Sequence, residues 1–354
     1  MRPFLLFLAL FLLPFASIAQ QDAIDVFIAD QMKQQGIVGL SIGIVKNGKV
    51  FKAKCYGRAN IELDVPASEK TVYKIGSISK QFVAVGIMEL VQDGKLKVSD
   101  PITKFIKDAP AKWNTITIRH LLNHTSGLPI DPPGFDGMKE QADSVYIKTA
   151  FIDSLAFPTG SKFEYSNFGY FILADIIRIA SGQSFPDFMK KYIFNECGMG
   201  CTRTTSLEAI VPNRAAGYIK NANDSILNAP NYIALRPSGA FLSNINDLLK
   251  WEMAMQNKKL LTQKNWDQMW GDTIKTPLTM DNEIMYYGYG WMTNKLNGKQ
   301  FVHHGGSLPG FKSVYFRYIQ DKTAIIILTN ADNADVYGIA FGVADLLQTE
   351  NKQK

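Results

Sequence analysis

The spacing of apolar residues predicts a helix at the start of the chain, strands near both ends and helices between them. The opening helix is indicated by apolar residues on one helical face, followed by a glycine where a C-terminal cap would stand: Ile24, Phe27, Ile28, Met32 and Gly36. The first element predicted after the first twenty residues is therefore a helix with one apolar face.

Two pairs of strand-like runs lie far apart in the chain. The first pair covers residues 39–45 and 50–57 and is joined through Asn47-Gly48, a dipeptide typical of tight hairpins because both residues tolerate positive φ. The second pair covers residues 312–318 and 323–328, and a helical pattern at 336–347 follows it. Each pair predicts neighbouring strands, one pair near each end of the chain.

The middle of the chain, about residues 77–270, is mostly helical in pattern, with connections rich in Pro, Gly and Asn. This order predicts an α/β (α+β) fold in which an antiparallel sheet is built from the N- and C-terminal segments, flanked by helices, with a mostly helical lobe inserted. We expect a single domain over residues 20–354, with the sheet lobe at about 20–75 and 285–354 and the helical lobe at about 76–284. Chemistry is expected in a cleft between the lobes.

Residues 1–19 have the pattern of a secretory signal peptide, with Arg2, an apolar run over residues 4–15 and small residues before Gln20. The apolar run is shorter than the roughly 20 residues that a membrane span requires, so we favour cleavage over a retained anchor. The sequence therefore predicts a periplasmic or secreted protein with no stable membrane span.

Composition and charge narrow the classes of protein that fit. Of the 354 residues, 46% are hydrophobic and 20% are charged, which excludes a disordered, collagenous or coiled-coil chain. The 38 basic and 32 acidic residues are interspersed and give a net charge of +6. This balance argues against nucleic acid as a partner.

The three cysteines leave their pairing open. Cys197 and Cys201 could close a small loop, which would leave Cys55 unpaired; alternatively, all three are buried free thiols. The histidines do not form a metal-binding pattern, and His120 and His124 are interpreted as helix-end and packing residues. We expect neither a metal nor a cofactor.

One Ser-x-x-Lys sequence carries candidate nucleophilic chemistry. It is Ser77-Ile78-Ser79-Lys80, which follows Gly76 and precedes an apolar helical pattern. Ser and Lys at positions i and i+3 of a helix face the same way, so the amine can reach the hydroxyl, and a helix N-terminus favours developing negative charge. A lone match of this kind is commonly a capping serine beside a solvated lysine, so other residues decide its meaning.

Two further segments supply groups that acyl transfer needs. Tyr165-Ser166-Asn167 offers a phenol that can move a proton and an amide that can bind a carbonyl group. His304-Gly305-Gly306-Ser307 offers glycines that let a ligand approach a strand edge, with N–H groups that can bind an oxyanion. The alternatives are a buried tyrosine with a turn asparagine, and a glycine-rich turn with a structural histidine.

With these motifs the sequence resembles the serine β-lactamase and penicillin-binding protein superfamily. The resemblance is to its class C β-lactamase-like branch, which includes DD-peptidases, D-aminopeptidases and esterases. It covers nearly all of the chain after the first nineteen residues and extends to residues 118–129, 237–251 and 287–291. It implies a β-lactamase/transpeptidase-like fold.

Carried over residue by residue, the resemblance implies that Ser77 is the acyl-forming nucleophile and that Lys80 is its activating partner. Tyr165 would relay protons between Ser77 and the leaving group, and Asn167 would orient the substrate amide. The sequence leaves open whether Lys80 or Tyr165 takes the first proton, because their titrations would be coupled.

The third motif departs from the pattern of many relatives. His304 stands where they have a lysine, and the resemblance gives it a place in substrate binding with Gly305 and Gly306. The backbone N–H groups of Ser77 and Ser307 would form the oxyanion hole. A lysine is a permanent cation suited to a carboxylate, whereas a histidine is charged for only part of the time near neutral pH, so strong β-lactamase activity is not expected.

Together the motifs predict a serine hydrolase that cleaves an amide or ester bond, in a D-amino-acid peptide or a small ester, through an acyl-enzyme on Ser77. The alternatives are a class C-type β-lactamase that hydrolyses penicillins or cephalosporins, and a penicillin-binding sensor module that is acylated without turnover. The joint presence of Ser77, Lys80, Tyr165 and Asn167 argues against the sensor, because binding alone does not require all four. We expect a small-molecule or peptide substrate, and we favour a monomer.

Overall fold

The computed structural model describes residues 22–139, 142–151, 154–204, 208–232, 237, 239, 241–280, 282–296 and 299–352. The predicted signal peptide at residues 1–19 lies outside these residues, as do positions 238 and 240 of the segment 237–251. Within the described ranges, no helix is both long enough and apolar enough to cross a membrane.

The strands in the described part of the chain pair antiparallel throughout. They are β1 (Gly39–Lys46), β2 (Lys49–Asn60), β3 (Val65–Pro66), β4 (Tyr73–Lys74), β5 (Tyr218–Lys220), β6 (Ile226–Asn228), β7 (Leu242–Ser243), β8 (Ile274–Met280), β9 (Glu283–Tyr287), β10 (Met292–Leu296), β11 (Lys299–Leu308), β12 (Phe311–Tyr318) and β13 (Thr323–Thr329). One large sheet has the order β3-β2-β1-β13-β12-β11-β10-β9-β8, whereas β4-β7 and β5-β6 form two small sheets. The pairing of β1 with β13 joins the two ends of the chain in one antiparallel sheet, as predicted.

The helices in these residues lie on both faces of the large sheet. They are α1 (Ala23–Gln35), α2 (Ser79–Gln92), α3 (Ile118–Leu122), α4 (Asp143–Thr149), α5 (Asn167–Ser181), α6 (Phe185–Phe188), α7 (Ile245–Gln256), α8 (Gln263–Gly271) and α9 (Val336–Lys352). Helices α1 and α9 pack together on one face, and α7 packs on the other face and joins the sheet to the helical part of the fold.

Strand β13 shows why the sheet needs helices on both faces. Ile325 and Ile327 pack in the core beneath α1 and α9, whereas Ile326 and Leu328 pack in the core beneath α7. Because successive side chains of a strand point to opposite faces, an unbroken apolar run is buried only where both faces are covered. The predicted run at 323–328 therefore lies in the interior of the sheet.

Local signals at the ends of the first elements are confirmed. Gly36 closes α1 in the left-handed region at φ 69°, and its N–H donates to the carbonyl oxygen of Met32. Asn47 and Gly48 adopt φ of 52° and 76° between β1 and β2. The last helix runs to Lys352, further than the apolar pattern predicts, and the mostly helical middle also contains the short strands β5, β6 and β7.

Glu89, on helix α2, gives a pH-dependent prediction about stability. Burial, followed by the charges of Asp93 and Glu196, raises its pKa to about 7 from an ordinary 4.5. The folded state therefore holds the Glu89 proton more tightly than the unfolded state does. The contribution of the protonated carboxyl group to the free energy of unfolding is fully present below about pH 4.5 and is lost as the pH rises through about 7. We expect Glu89→Gln to raise the free energy of unfolding by about 1 kcal/mol at pH 8, after allowing for partial exposure, and to change it little at pH 4.

Denaturant unfolding of both proteins at the two pH values measures this effect. An equal effect at both pH values would contradict the assignment, because a change in packing alone does not depend on the titration of the carboxyl group.

Candidate active site

Ser77 lies in a short 3-10 turn, Gly76–Ile78, that leads from β4 into α2. Gly76 has φ 56°, and a Cβ atom on it would lie only 2.6 Å from the backbone nitrogen of Ser307. Glycine is therefore required at this position both by its φ and by the closeness of β11. The close approach brings the backbone of the Ser77 turn against that of Ser307.

Lys80 is fully buried in the first turn of α2 and contacts two of the other predicted site residues. Its Nζ donates to Ser77 Oγ at 3.2 Å and to Asn167 Oδ1 at 2.8 Å. Burial lowers the pKa of Lys80 well below 10.5, and the negative charge of Asp131 opposes this shift in part. At a given pH, Lys80 is therefore a neutral amine more often than an exposed lysine is, and the neutral amine can accept a proton.

Tyr165 lies beside Lys80, and the lysine Nζ is 4.8 Å from the centre of the tyrosine ring. The Tyr165 side chain also forms a hydrogen bond with that of Ser77. One edge of Tyr165 faces the cleft, but the surrounding protein desolvates the phenol and raises its pKa above the ordinary value of 10. Tyr165 therefore carries its proton at neutral pH.

Asn167 begins α5, and its amide is held from both sides. Its Oδ1 accepts from Lys80, and its Nδ2 donates to Asp131 Oδ1 at 3.0 Å. Ser166 caps the same helix, because its Oγ accepts from the N–H of Gly169 at 3.1 Å. These contacts fix which end of the amide faces Lys80.

The glycine motif lies within strand β11, so its interpretation as a glycine-rich turn is wrong. Residues 301–308 pair with β12 without interruption. A Cβ atom on Gly306 would overlap the carbonyl oxygen of Ile75, and one on Gly305 would lie 2.7 Å from the hydroxyl of Tyr337. The glycines therefore permit close packing of β11 against the Ser77 turn and against α9.

His304 is neutral in this structure, which corrects the expectation of a partly charged histidine. Its Nδ1 lies 2.7 Å from the carbonyl oxygen of Gly305, and its Nε2 lies 3.0 Å from the hydroxyl of Tyr287. A carbonyl accepts only, so we assign the proton to Nδ1, and Nε2 then accepts from Tyr287. Burial, followed by the charge of Lys80, lowers the pKa of His304 to about 3.

His124, interpreted from the sequence as a packing residue, lies directly beside the predicted catalytic groups. Its ring centre is 4.4 Å from that of Tyr165 and 4.5 Å from that of Tyr287. Its Nδ1 accepts from the backbone N–H of Ser166 at 3.1 Å. Burial lowers the pKa of His124 well below 6.5, so a neutral ring holds the 165–167 segment in place.

A family model described as Beta-lactamase matches residues 24–347. The chain belongs to the beta-lactamase family. Protein flp of Staphylococcus aureus (strain MW2) is 30% identical over 327 residues, which cover 88% of this chain and 64% of that protein. The chain thus spans less than two thirds of that relative's length. Penicillin-binding protein 4* of Bacillus subtilis (strain 168) is 28% identical over 315 residues, covering 82% of this chain and 68% of that protein.

Solved structures of two other proteins superpose closely on this chain. The octameric penicillin-binding protein homologue from Pyrococcus abyssi has a TM-score of 0.82 and 28% sequence identity, and the match covers 92% of this chain and 77% of the homologue. The D-amino acid amidase from Ochrobactrum anthropi SV3 has a TM-score of 0.81 and 23% sequence identity, and the match covers 94% of this chain and 99% of the amidase. The predicted β-lactamase-like fold is thereby confirmed.

In this member of the beta-lactamase family, Ser77 opens on a cleft of about 350 Å³. The cleft lies between the Ser77 turn, the end of β11, the start of β12 and the turn into α9; the polar side chains that line it include Ser77, Tyr165, His304, Ser307, Lys312 and Asp335. A larger hollow, of about 600 Å³, lies along α7 and β2 and contains none of the predicted site residues. Proximity to Ser77, rather than size, therefore identifies the candidate site.

The cysteines do not take part in this site. Cys55, Cys197 and Cys201 are all free, but only Cys197 is buried, so the alternative of three buried thiols is right about pairing and wrong about burial. Burial raises the pKa of the Cys197 thiol to about 12, which makes it unreactive. Across the described ranges, no three His, Cys, Asp or Glu side chains are grouped to hold a metal ion.

Proposed function

We propose that the protein is a serine hydrolase that cleaves an amide or ester bond, in a D-amino-acid peptide or a small ester, through an acyl-enzyme on Ser77. The observation that carries this proposal is the contact of Lys80 Nζ with Ser77 Oγ at 3.2 Å at the edge of a cleft. The names of a relative in sequence, a penicillin-binding protein, and of a protein of similar fold, a D-amino acid amidase, support the substrate class.

In the proposed acylation step, neutral Lys80 accepts the proton of Ser77 Oγ while that oxygen attacks the substrate carbonyl carbon. The carbonyl π electrons move to the oxygen, and the backbone N–H groups of Ser77 and Ser307 stabilise the resulting oxyanion. Because the pKa of Lys80 is lowered and that of Tyr165 is raised, Lys80 is the base in the resting enzyme.

In the proposed breakdown of the tetrahedral intermediate, Tyr165 donates its proton to the leaving nitrogen or oxygen as the scissile bond breaks. The protonated Lys80 then returns a proton to Tyr165, so both groups regain their starting states. In deacylation, a water molecule attacks the acyl ester while Lys80 accepts one of its protons. The water oxygen becomes part of the acid product, and Tyr165 returns a proton to Ser77 Oγ before it is reprotonated by Lys80. One water is consumed and no net proton is gained by the enzyme.

The orientation of Asn167 supports a role in holding the substrate amide. Asp131 accepts from its Nδ2 at 3.0 Å, and Lys80 donates to its Oδ1 at 2.8 Å. A substrate carbonyl would share the Nδ2 group, which has two N–H donors. His304, Gly305 and Gly306 are proposed to form the wall against which the substrate lies.

Export and a monomeric state are also part of the proposal. Residues 1–19 are proposed to direct the chain to the periplasm or the exterior and to be removed there. The intact mass of protein from a periplasmic or culture fraction, together with its mass by light scattering, tests both points. A retained leader, or a mass above that of one chain, would contradict them.

The class C-type β-lactamase is the second candidate, because it uses the same Ser77 chemistry. The neutral state of His304 weighs against it, since this side chain does not supply the cation that suits a β-lactam carboxylate. Rapid turnover of nitrocefin would favour this candidate, whereas a stable adduct with no turnover of any substrate would favour the sensor module.

The test of the proposal is to mix the purified protein with p-nitrophenyl acetate, nitrocefin and an acyl-D-Ala-D-Ala peptide. Product formation and the covalent mass on the peptide that contains Ser77 are followed together. We expect turnover of the ester or the peptide with slower or absent turnover of nitrocefin. Absence of both adduct and turnover with all three compounds would contradict the proposal.

A prediction about pH follows from the shifted pKa of Lys80. The neutral amine is the active form, so kcat/KM should rise as the pH rises through the Lys80 pKa. Asp131 raises that pKa, so Asp131→Asn, which keeps an oxygen for Asn167 Nδ2, should lower it. We expect the acidic limb of the profile to move to lower pH by up to about one unit.

The measurement is the pH dependence of kcat/KM for p-nitrophenyl acetate with both proteins. A limb that stays in place, or moves to higher pH, would show that a group other than Lys80 controls it. His304 gives no such limb near neutrality, because its pKa is about 3.

A further inference from the structure

Lys74 is a buried lysine to which neither the sequence motifs nor the proposed mechanism gives a role. It lies in β4, three residues before Ser77, and only 4% of it is exposed. Its Nζ donates to Asn231 Oδ1 and to the carbonyl oxygen of Tyr232, each at 2.6 Å. Both acceptors belong to the 229–232 segment, so Lys74 ties this segment to the strand that leads to the nucleophile.

The groups that surround the Lys74 ammonium are neutral or positively charged. Besides its two oxygen acceptors, the Phe311 ring on β12 lies 5.9 Å from Nζ, and β7 pairs with it through Leu242. Burial, followed by the charge of Arg214, lowers its pKa to about 8. Among the residues that the structure describes, no carboxylate is paired with Lys74. Because burying such a cation is unfavourable, the arrangement is better explained by what Lys74 holds than by a gain in stability.

One end of the 229–232 segment packs on the hairpin that carries Ser307. The backbone N–H of Ala229 donates to the carbonyl oxygen of Gly217 at 2.9 Å. A Cβ atom on Gly310, in the turn between β11 and β12, would lie only 2.6 Å from the Cβ of Ala229. Gly310 follows Ser307 by three residues. A displacement of the segment would therefore reach the end of β11, which supplies one proposed oxyanion N–H.

The other end of the segment packs on the part of the chain that holds Asn167. The Tyr232 ring lies so close to Gly137 that a Cβ atom on this glycine would be 2.8 Å from it. Gly137 follows Asp131 in the same connection, and Asp131 accepts from Asn167 Nδ2 at 3.0 Å. The 229–232 segment therefore links the two sides of the candidate site, and Lys74 fixes the middle of this link.

We propose that Lys74 is a positioning residue that fixes the 229–232 segment between Ser307 and Asn167 and thereby strengthens the binding of a peptide substrate. This inference rests on the proposed function, because it concerns the same site. Hydrogen bonds from a charged donor are about twice as strong as those from a neutral one. Lys74 loses its charge as the pH rises through about 8, so the segment should be held less firmly above that pH.

The first test measures kcat and KM for an acyl-D-Ala-D-Ala peptide below and above pH 8. In the unaltered protein we expect KM to rise by about 3- to 10-fold across this range, with a smaller change for p-nitrophenyl acetate, which is too short to reach both sides of the site. Lys74→Met should have the higher KM at both pH values. Lys70→Met, at an exposed lysine four residues earlier, should behave as the unaltered protein does. A KM that does not depend on pH, or an equal rise in Lys74→Met, would overturn the proposal.

The second test does not depend on turnover. In Ser77→Ala, calorimetry measures the dissociation constant of the same peptide below pH 8, with Lys74→Met, with Asn231→Ala or with neither. Each added substitution should weaken binding by about 3- to 10-fold and speed the amide exchange of residues 229–232. Asn231 is exposed, so its substitution tests the contact even if Lys74→Met does not fold. Unchanged affinity would overturn the role of Lys74 even if turnover is found, whereas weakened binding in a protein that turns over no substrate would overturn only the proposed hydrolysis.

Discussion

Ser77→Ala should abolish covalent labelling and lower turnover of every substrate by about four orders of magnitude or more, because the proposed acyl bond forms on the Ser77 hydroxyl. The residual rate would come from the oxyanion site and substrate binding alone. Lys80 would keep its contact with Asn167 Oδ1 at 2.8 Å, so the substituted protein should retain its other site geometry. The measurements are kcat/KM for p-nitrophenyl acetate and the intact mass after incubation with nitrocefin.

The matched control is Ser79→Ala, two residues along in the same motif. Ser79 Oγ donates to the carbonyl oxygen of Gly76 at 2.7 Å and accepts from the N–H of Phe241 at 3.2 Å, both in the buried interior. Its loss should lower the free energy of unfolding by about 1–3 kcal/mol while labelling at Ser77 persists. Ser77→Ala should show the reverse, with a nearly unchanged melting temperature. Labelling that survives in Ser77→Ala would contradict the assignment of the nucleophile.

The outline of the fold could be predicted because its signals are local. Asn47-Gly48 requires two positive φ angles wherever it occurs in a hairpin, and Gly36 ends a helix by the same property. The unbroken apolar run of β13 indicated a strand, but only the packing of helices on both faces explains why no polar residue interrupts it. Segments from the two ends of the chain then meet as β1 and β13.

The motifs name the predicted residues of the candidate site, but not their protonation states or the neighbours that hold them. The protonation of His304 could not be predicted, because it depends on burial and on the charge of Lys80, which come from other parts of the chain. Asp131 and His124 were missed as site residues for a similar reason: their roles follow from contacts with Asn167 and Ser166, about 36 and 42 positions away.

The position of the glycine motif illustrates the same limit. Two adjacent glycines are typical of a turn, but they also allow close approach to a strand edge, so the sequence alone left both interpretations open for residues 304–307. In the structure the glycines are required by neighbours instead, since a Cβ on Gly306 would overlap the carbonyl oxygen of Ile75. A strand was compatible with the same residues once the Ser77 turn lay against it.

The second large effect is expected for Tyr165→Phe, which should lower kcat for an amide substrate by about two to four orders of magnitude. The phenol is the protonated group beside Ser77, so its loss removes the proton that the leaving nitrogen needs. A p-nitrophenolate group leaves without protonation, so acylation by p-nitrophenyl acetate should be slowed much less. The two rates are measured by single-turnover kinetics on the same preparation.

Tyr170→Phe separates the loss of a proton donor from the loss of packing. Tyr170 is also buried close to Lys80, with the lysine Nζ 5.4 Å from its ring centre, but its hydroxyl donates to the carbonyl oxygen of Leu122 at 3.0 Å. Its substitution should cost about 1 kcal/mol of stability and leave the ratio of amide to ester rates unchanged. If Tyr165→Phe slows the amide and the ester equally, Tyr165 positions Ser77 and the leaving-group proton must come from Lys80; if it slows neither, Tyr165 only fills space.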